Sequence, residues 1–223
     1  QTSYAGPSIA NALPGEVGSV GNELVQLQGS NLGLADSSRT PVRTSVEIIY
    51  QNSLYKVNMD TSRNAAEIPV SRVVKYGLHE VAFRSPTLEC IFCNPFFSAR
   101  VKLETQTGAI LRSQWLNISF KDPEIKHIYV TDGKTVVSRH VQVSGNNFGQ
   151  RGIVTLHMEN DLIELPFIGP NGVFPSSGSY VISYSHDSIH IEFYGIVGAL
   201  SVQRAGVSSS IVGFRQLSPS IIG

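Results

Sequence analysis

The sequence predicts an all-β chain folded as two tandem antiparallel β-sandwiches, and three observations carry that reading. The segment Gly29-Ser30-Asn31-Leu32-Gly33 recurs as Gly145-Asn146-Asn147-Phe148-Gly149. Each copy follows an alternating apolar stretch, Leu24 to Gln28 or Val141 to Ser144, and stands 22 residues after a proline, in Pro7-Ser8-Ile9 or Pro123-Glu124-Ile125. No window sustains a 3.6-residue apolar period long enough for a substantial helix. A proline, a strand and a Gly-x-Asn-apolar-Gly turn at one fixed offset mark a duplicated unit.

The turn has a physical purpose. A strand leaving its sheet abruptly needs residues that accept positive φ, and Gly and Asn do so at least cost. The apolar residue between them, Leu32 or Phe148, can then fold back and plug the end of the core. A glycine-rich phosphate cradle is excluded by context, because such loops open a helix. The residues after Gly149, from Gln150 to His157, alternate like another strand.

Length and composition suit two units of roughly 100 residues each. The chain has 223 residues and a formal charge of zero, with 17 Lys+Arg against 17 Asp+Glu, and a pI near 7.2. Nucleic acid and anionic membranes both reward a basic surface, so neither is an expected partner. Charged residues make up 15% while Gly numbers 20 and Pro 11, which leaves a surface of Ser, Thr, Asn, Gln and backbone, a composition common outside cells. No apolar run approaches the roughly 20 residues of a membrane span. A signal peptide is not seen, and Gln1 is compatible with a processed end.

In chain order, Gln1 to Ala5 reads as a lead-in, Pro7 to Leu13 as an edge strand, Pro14-Gly15 as a turn and Glu23 to Gln28 as the second strand. Residues 34–44, polar and aperiodic, read as a loop inserted in the first unit only. Strands are expected at Ser45 to Tyr50, Leu54 to Asn58, Val70 to Val74, His79 to Phe83, Glu89 to Phe92, Ala99 to Thr105 and Ser113 to Phe120. Lys121-Asp122-Pro123 joins the units without a flexible linker. The second unit is expected to carry strands at Ile125 to Thr131, Thr135 to Ser144, Ile153 to Glu159 and Leu162 to Phe167, with turns at Asp132-Gly133 and at 169–172. Strands at Tyr180 to Ser185, Ser188 to Tyr194, Ala199 to Arg204 and Ser209 to Gln216 complete it. Pro219-Ser220-Ile221 then repeats the Pro7-Ser8-Ile9 opening letter for letter.

With these motifs the chain resembles the IPT/TIG domains, immunoglobulin-like folds found in plexins, transcription factors and large surface proteins. The resemblance covers residues 7–120 and 123–216, and Ser85-Pro86-Thr87 ahead of Cys90 looks like late elements of such domains, although in a different order. It implies two immunoglobulin-like units, 1–121 and 122–216, with 217–223 as a tail or the first strand of a following unit. For tandem copies it implies adhesion or scaffolding, and it brings no catalytic residue, cofactor or metal ligand with it.

The cysteines are Cys90 and Cys93, in Cys90-Ile-Phe-Cys93. A redox CxxC would open a helix after a central strand, and Asn94-Pro95 with no βαβ context argues against that. Zinc needs four ligands and no second pair exists. A local disulfide is the main reading, and it demands a turn or bulge because residues three apart on a strand face opposite ways. Ser185-His186-Asp187-Ser188 holds all three triad residue types, but consecutive residues cannot make triad geometry, so it reads as a hairpin turn. His186 and His190, four apart, would share one strand face and could hold a metal, although exposed strand histidines are the ordinary meaning. Trp115 alternates with Leu111, Ser113 and Asn117 and reads as core or sugar-facing packing. Asn117-Ile118-Ser119 is the single N-glycosylation sequon.

The expected function is that of a non-enzymatic extracellular or cell-surface protein, a repeat of a filament or stalk assembled end to end. Leu217, Pro219, Ile221 and Ile222 are the expected assembly residues, and the partners are other copies or adjacent repeats of the same polypeptide. The alternative is an adhesion or ligand-binding module for protein or carbohydrate; a DNA-binding role is disfavoured by the neutral charge.

Overall fold

The computed structural model describes residues 5–33, 42–49, 65–67, 73–88, 94–105, 107–132, 138–158, 161–168, 178–194, 197–204 and 207–215, and their regular structure is entirely β. Two compact units divide the chain. The first comprises Gln1–Thr87 with Phe92–Lys121, the second Leu88–Ile91 with Asp122–Gly223.

The first unit has strands β1 (Ser8–Leu13), β2 (Glu16–Val17), β3 (Leu24–Ser30), β4 (Val42–Ile49), β5 (Ala65–Glu67), β6 (Val73–Tyr76), β7 (Glu80–Arg84), β8 (Phe96–Thr105), β9 (Ile110–Arg112) and β10 (Leu116–Phe120). They form one sheet in the order β1-β3-β7-β6 and another in the order β2-β10-β8-β4-β5, with β9 also on β8. The second unit has β11 (Glu124–Asp132), β12 (Ser138–Asn146), β13 (Ile153–His157), β14 (Leu162–Glu164), β15 (Tyr180–Tyr184), β16 (Ser188–Tyr194), β17 (Val197–Arg204), β18 (Val207–Ser208) and β19 (Val212–Arg215). Its sheets run β11-β12-β16-β15 and β14-β13-β17-β18, with β19 also on β17. Strand for strand this is the same arrangement: two antiparallel sheets of an immunoglobulin-like sandwich, with the parallel β2–β10 pair as an addition to the first unit.

Alternation is strictest in β8. In β8 every second residue is buried, so Phe97, Ala99, Val101 and Leu103 enter the core. Phe97 packs edge-on against Phe83, centroids 6.4 Å apart, and lies 5.6 Å from Phe120. The second unit uses a different aromatic pair, Phe193 edge-on against Phe214 with centroids 5.1 Å apart.

The repeated corner works the same way in both units. Ile9 pairs with Gly29 and Ile125 with Gly145, and a register shift follows each, between Ile9 and Asn11 or Ile125 and His127. A Cβ on Gly29 would collide with the Ser8 carbonyl oxygen, and one on Gly145 with the Glu124 carbonyl oxygen. The turn itself starts later than the motif suggests: Gly29-Ser30 and Gly145-Asn146 still belong to β3 and β12, and the chain bends at Asn31 (φ 57°) and Asn147 (φ 60°). Gly29 N–H donates to His79 O and Leu32 N–H to Leu78 O; likewise Gly145 N–H donates to Asp187 O and Phe148 N–H to His186 O, at 2.9–3.0 Å. Leu32 and Phe148 are fully buried. In the second unit Arg204 Nε donates to Asn147 O at 2.6 Å and Tyr184 O–H to Phe148 O at 2.7 Å.

A second duplication is invisible in the sequence. The strand expected at Ser113 to Phe120 starts only at Leu116: β9 and β10 both pair with β8, and in the break between them three residues, Ser113 to Trp115, stand opposite two, Arg100 and Val101. The strand expected at Ser209 to Gln216 likewise starts only at Val212, and in the break between β18 and β19 Ser209 to Ile211 stand opposite Ser201 and Val202. Each break is a one-residue bulge, and a serine holds it. Val101 N–H donates to Ser113 Oγ (3.0 Å) and Ser113 N–H to Val101 O (2.9 Å). Val202 N–H donates to Ser209 Oγ (3.0 Å) and Ser209 N–H to Val202 O (2.8 Å). The hydroxyl replaces the carbonyl that the bulge carries away, so a buried amide keeps its partner.

Other expectations shift. Val42 to Thr44, expected in the inserted loop, belong to β4; Asp132, expected in a turn, ends β11; and Val73 and Val74, expected in a strand, belong to β6, which runs on to Tyr76. Residues 34–41, 54–58, 70–72, 89–92, 133–137 and 169–172 lie outside the described residues.

Gly29→Ala and Gly145→Ala, which force a backbone carbonyl to move, are each expected to destabilise their own unit by roughly 1–3 kcal/mol, as measured by chemical denaturation. Ser113→Ala and Ser209→Ala, which strand a buried amide, are expected to cost about 1–3 kcal/mol; hydrogen exchange should speed up selectively at Val101 and Val202.

Candidate functional site

The outward face of the β4–β8–β9 sheet carries the densest group of interacting polar side chains in the first unit among the described residues. Alternation in β8 turns Ser98, Arg100, Lys102 and Glu104 outward. Register sets Glu47 of β4 beside Arg100, and Arg112 of β9 beside Lys102. The Glu47 carboxylate accepts from Arg100 Nε at 2.5 Å and from Arg112 Nε at 3.2 Å. Glu47 is 7% exposed and Arg112 40%, so the carboxylate is the buried anchor and the guanidinium the wet rim. Burial pushes the Glu47 carboxyl up, but hydrogen bonds and charge from Arg100 and then Arg112 outweigh it and hold it below the ordinary carboxylate range.

Trp115 enters this face because of the bulge. The extra residue re-aims the chain between β9 and β10, and the Arg100 guanidinium carbon lies 4.0 Å from the centre of the indole. Two residues further, Asn117 is exposed on β10 opposite Ser98, whose Oγ donates to Asn117 Oδ1 at 2.6 Å. A guanidinium, an indole and an exposed amide therefore form one ridge on a rigid sheet. Such a ridge offers stacking and hydrogen bonding rather than proton transfer.

In the second unit the outward face of β11-β12-β16-β15 carries a histidine pair. His140 Nε2 and His190 Nδ1 lie 3.0 Å apart, one donating to the other, with ring centres at 5.2 Å. His190 Nε2 also meets Ser188 Oγ at 3.3 Å. Burial, then the charge of His140, lowers the His190 pKa below 6.5. The expected strand-face pairing of His186 with His190 is corrected: His186 lies in the turn before β16, and His190 finds its partner across strands on β12. Among the described residues no three His, Cys, Asp or Glu side chains converge to hold a metal ion. Ser185 to Ser188 form the expected hairpin turn, with Ser185 N–H on Ser188 O and Ser185 Oγ on Asp187 Oδ1.

Cys90, Cys93, Leu217, Pro219, Ile221 and Ile222 lie outside the described residues. The Glu47–Arg100–Arg112 triad and His140 were not singled out by sequence reasoning. The alternation of Ser98, Arg100, Lys102 and Glu104 is visible in the chain, but which residue faces them from the neighbouring strand depends on register.

The histidine pair has a consequence for stability. Because the folded His190 binds its proton more weakly than an unfolded histidine, the unfolded chain takes up more protons as pH falls below about 6.5, and the second unit loses stability there. Stability is fully present above that pH. His190→Gln should flatten the dependence, as followed by hydrogen exchange in β16 between pH 5 and 7.5.

No family model matches the chain, and no curated protein matches it. Among solved structures, the full extracellular region of plexin A4, domains 1 to 8, aligns over 96% of this chain at 13% identity with a TM-score of 0.34; the chain spans 18% of that chain.

Proposed function

We propose that this chain is a non-enzymatic structural segment of an extracellular filament or surface stalk, built from immunoglobulin-like units of the IPT/TIG kind joined end to end. The observation that carries the reading is the recurrence of one unit down to its details, strand order, glycine corner and serine-held bulge. In both units the Pro-x-Ile opening begins the strand that pairs with the glycine corner. The same opening stands a third time at Pro219-Ser220-Ile221. As a strand, that segment would join units by pairing its backbone into a sheet, either in the next repeat or in a neighbouring copy. Leu217, Pro219, Ile221 and Ile222 are the side chains that would seal the joint.

A second reading, a module that binds protein or carbohydrate, is favoured by one observation, the Arg100–Trp115 ridge. The two readings separate experimentally. Deleting Leu217 to Gly223 is expected to abolish end-to-end assembly in electron microscopy and sedimentation while both units melt as before. Fibres of unchanged length after truncation, or a strictly monomeric intact protein, would refute the structural reading. Binding to a glycan or protein array that Trp115→Ala removes would favour the second.

A further inference from the structure

We propose that Asn117 carries an N-linked glycan and that its first sugar lies on Trp115, so that the outward face of the β4–β8–β9 sheet is covered by carbohydrate of the chain's own. The inference rests on the extracellular part of the reading above, since the modification requires passage through a secretory pathway. A sequon alone would not carry it, but four features of the fold do. Asn117 is exposed on a regular strand. Its Oδ1 is held by Ser98 Oγ at 2.6 Å, which fixes the amide plane. Its Nδ2, the atom that takes the sugar, has no hydrogen-bond partner among the described residues. Finally, Trp115 shares this face: it stacks on Arg100, and Arg100 stands two residues from Ser98 on β8, about 7 Å along the strand.

The chemistry balances with one co-reactant, a lipid-diphosphate-linked oligosaccharide supplied by the host. Asn117 Nδ2 attacks C1 of its first sugar, the Nδ2–C1 bond forms, and the C1–O bond to the diphosphate breaks. One amide proton is lost and the lipid diphosphate leaves as the anion. Oδ1 takes no part, so the Ser98 bond survives the reaction. An amide-linked N-acetylhexosamine has an apolar C–H face, and a half-buried indole is a surface that such a face can cover. Arg100, already tethered to Glu47, stacks on one face of the indole and fixes its position. The equivalent bulge in the second unit presents Ile211, 60% exposed, and no sequon follows it. The device belongs to the first unit alone.

Trp115 is the chain's single tryptophan, so its fluorescence reports this ring and nothing else. The 223-residue chain is secreted from a eukaryotic host, and intact mass and peptide mapping are compared for wild type, Asn117→Gln and Ser119→Ala. The expected result is one N-glycan, mapped to Asn117 and absent from both variants. The Ser119→Ala protein, which keeps Asn117 and its Ser98 bond, should show red-shifted emission and faster acrylamide quenching. Enzymatic release of the glycan from the wild type should reproduce that shift, a check that does not depend on any variant folding. An unmodified secreted chain overturns the site, and identical emission and quenching with and without the glycan overturn the contact with Trp115. Neither result bears on the truncation experiment, so failure here is distinguishable from failure of the end-to-end reading.

Discussion

Each unit depends on one close approach of backbone to backbone. At Gly29 the Ser8 carbonyl, and at Gly145 the Glu124 carbonyl, occupies the space of a side chain. That approach lets the first strand add to the sheet and then shift register, and it leaves the second strand ending beside the turn before β7 or β16, whose carbonyls take its amides. Positive φ at Asn31 and Asn147 then sends the chain across, and Leu32 or Phe148 closes the core beneath. The close pairing of the first strand thus needs a missing Cβ, and the apolar plug needs the positive φ two residues later.

The serine-held bulges show how a repeated scaffold acquires unit-specific surfaces. The extra residue leaves a buried amide on β8 or β17 without its ladder partner, and the Ser113 or Ser209 hydroxyl restores it. Once the backbone is satisfied, the third residue of the bulge is free to vary. In the first unit it is Trp115, stacked on Arg100; in the second it is Ile211, open to solvent. The same loop also lets Gln114 Nε2 reach the Ile9 carbonyl, which ties the bulge of the first unit to its opening strand.

Polar residues on the two sheet faces obey the same economy. Glu47 is nearly buried, yet two arginines share it, so desolvation is offset by paired charge. His140 and His190 satisfy each other across strands, at the expense of the His190 proton. Neither arrangement demands a ligand, and both stiffen faces that alternation alone would leave as independent side chains.

The chain by itself determined the class of fold, because period-2 alternation and paired Gly-x-Asn-apolar-Gly motifs are local signals whose cause, strand pleat and positive φ, acts within a few residues. It also determined that Ser185 to Ser188 turn, since that geometry is closed by the residues of the turn itself. Register was beyond its reach. Whether His190 meets His186 or His140, and whether Arg100 meets Glu47, depends on a strand about fifty residues away in sequence; where a strand takes an extra residue depends on the exact pairing with its neighbour. A one-residue change in pairing reverses every side chain, so only the tertiary structure could decide that Trp115, Arg100 and Asn117 form one ridge.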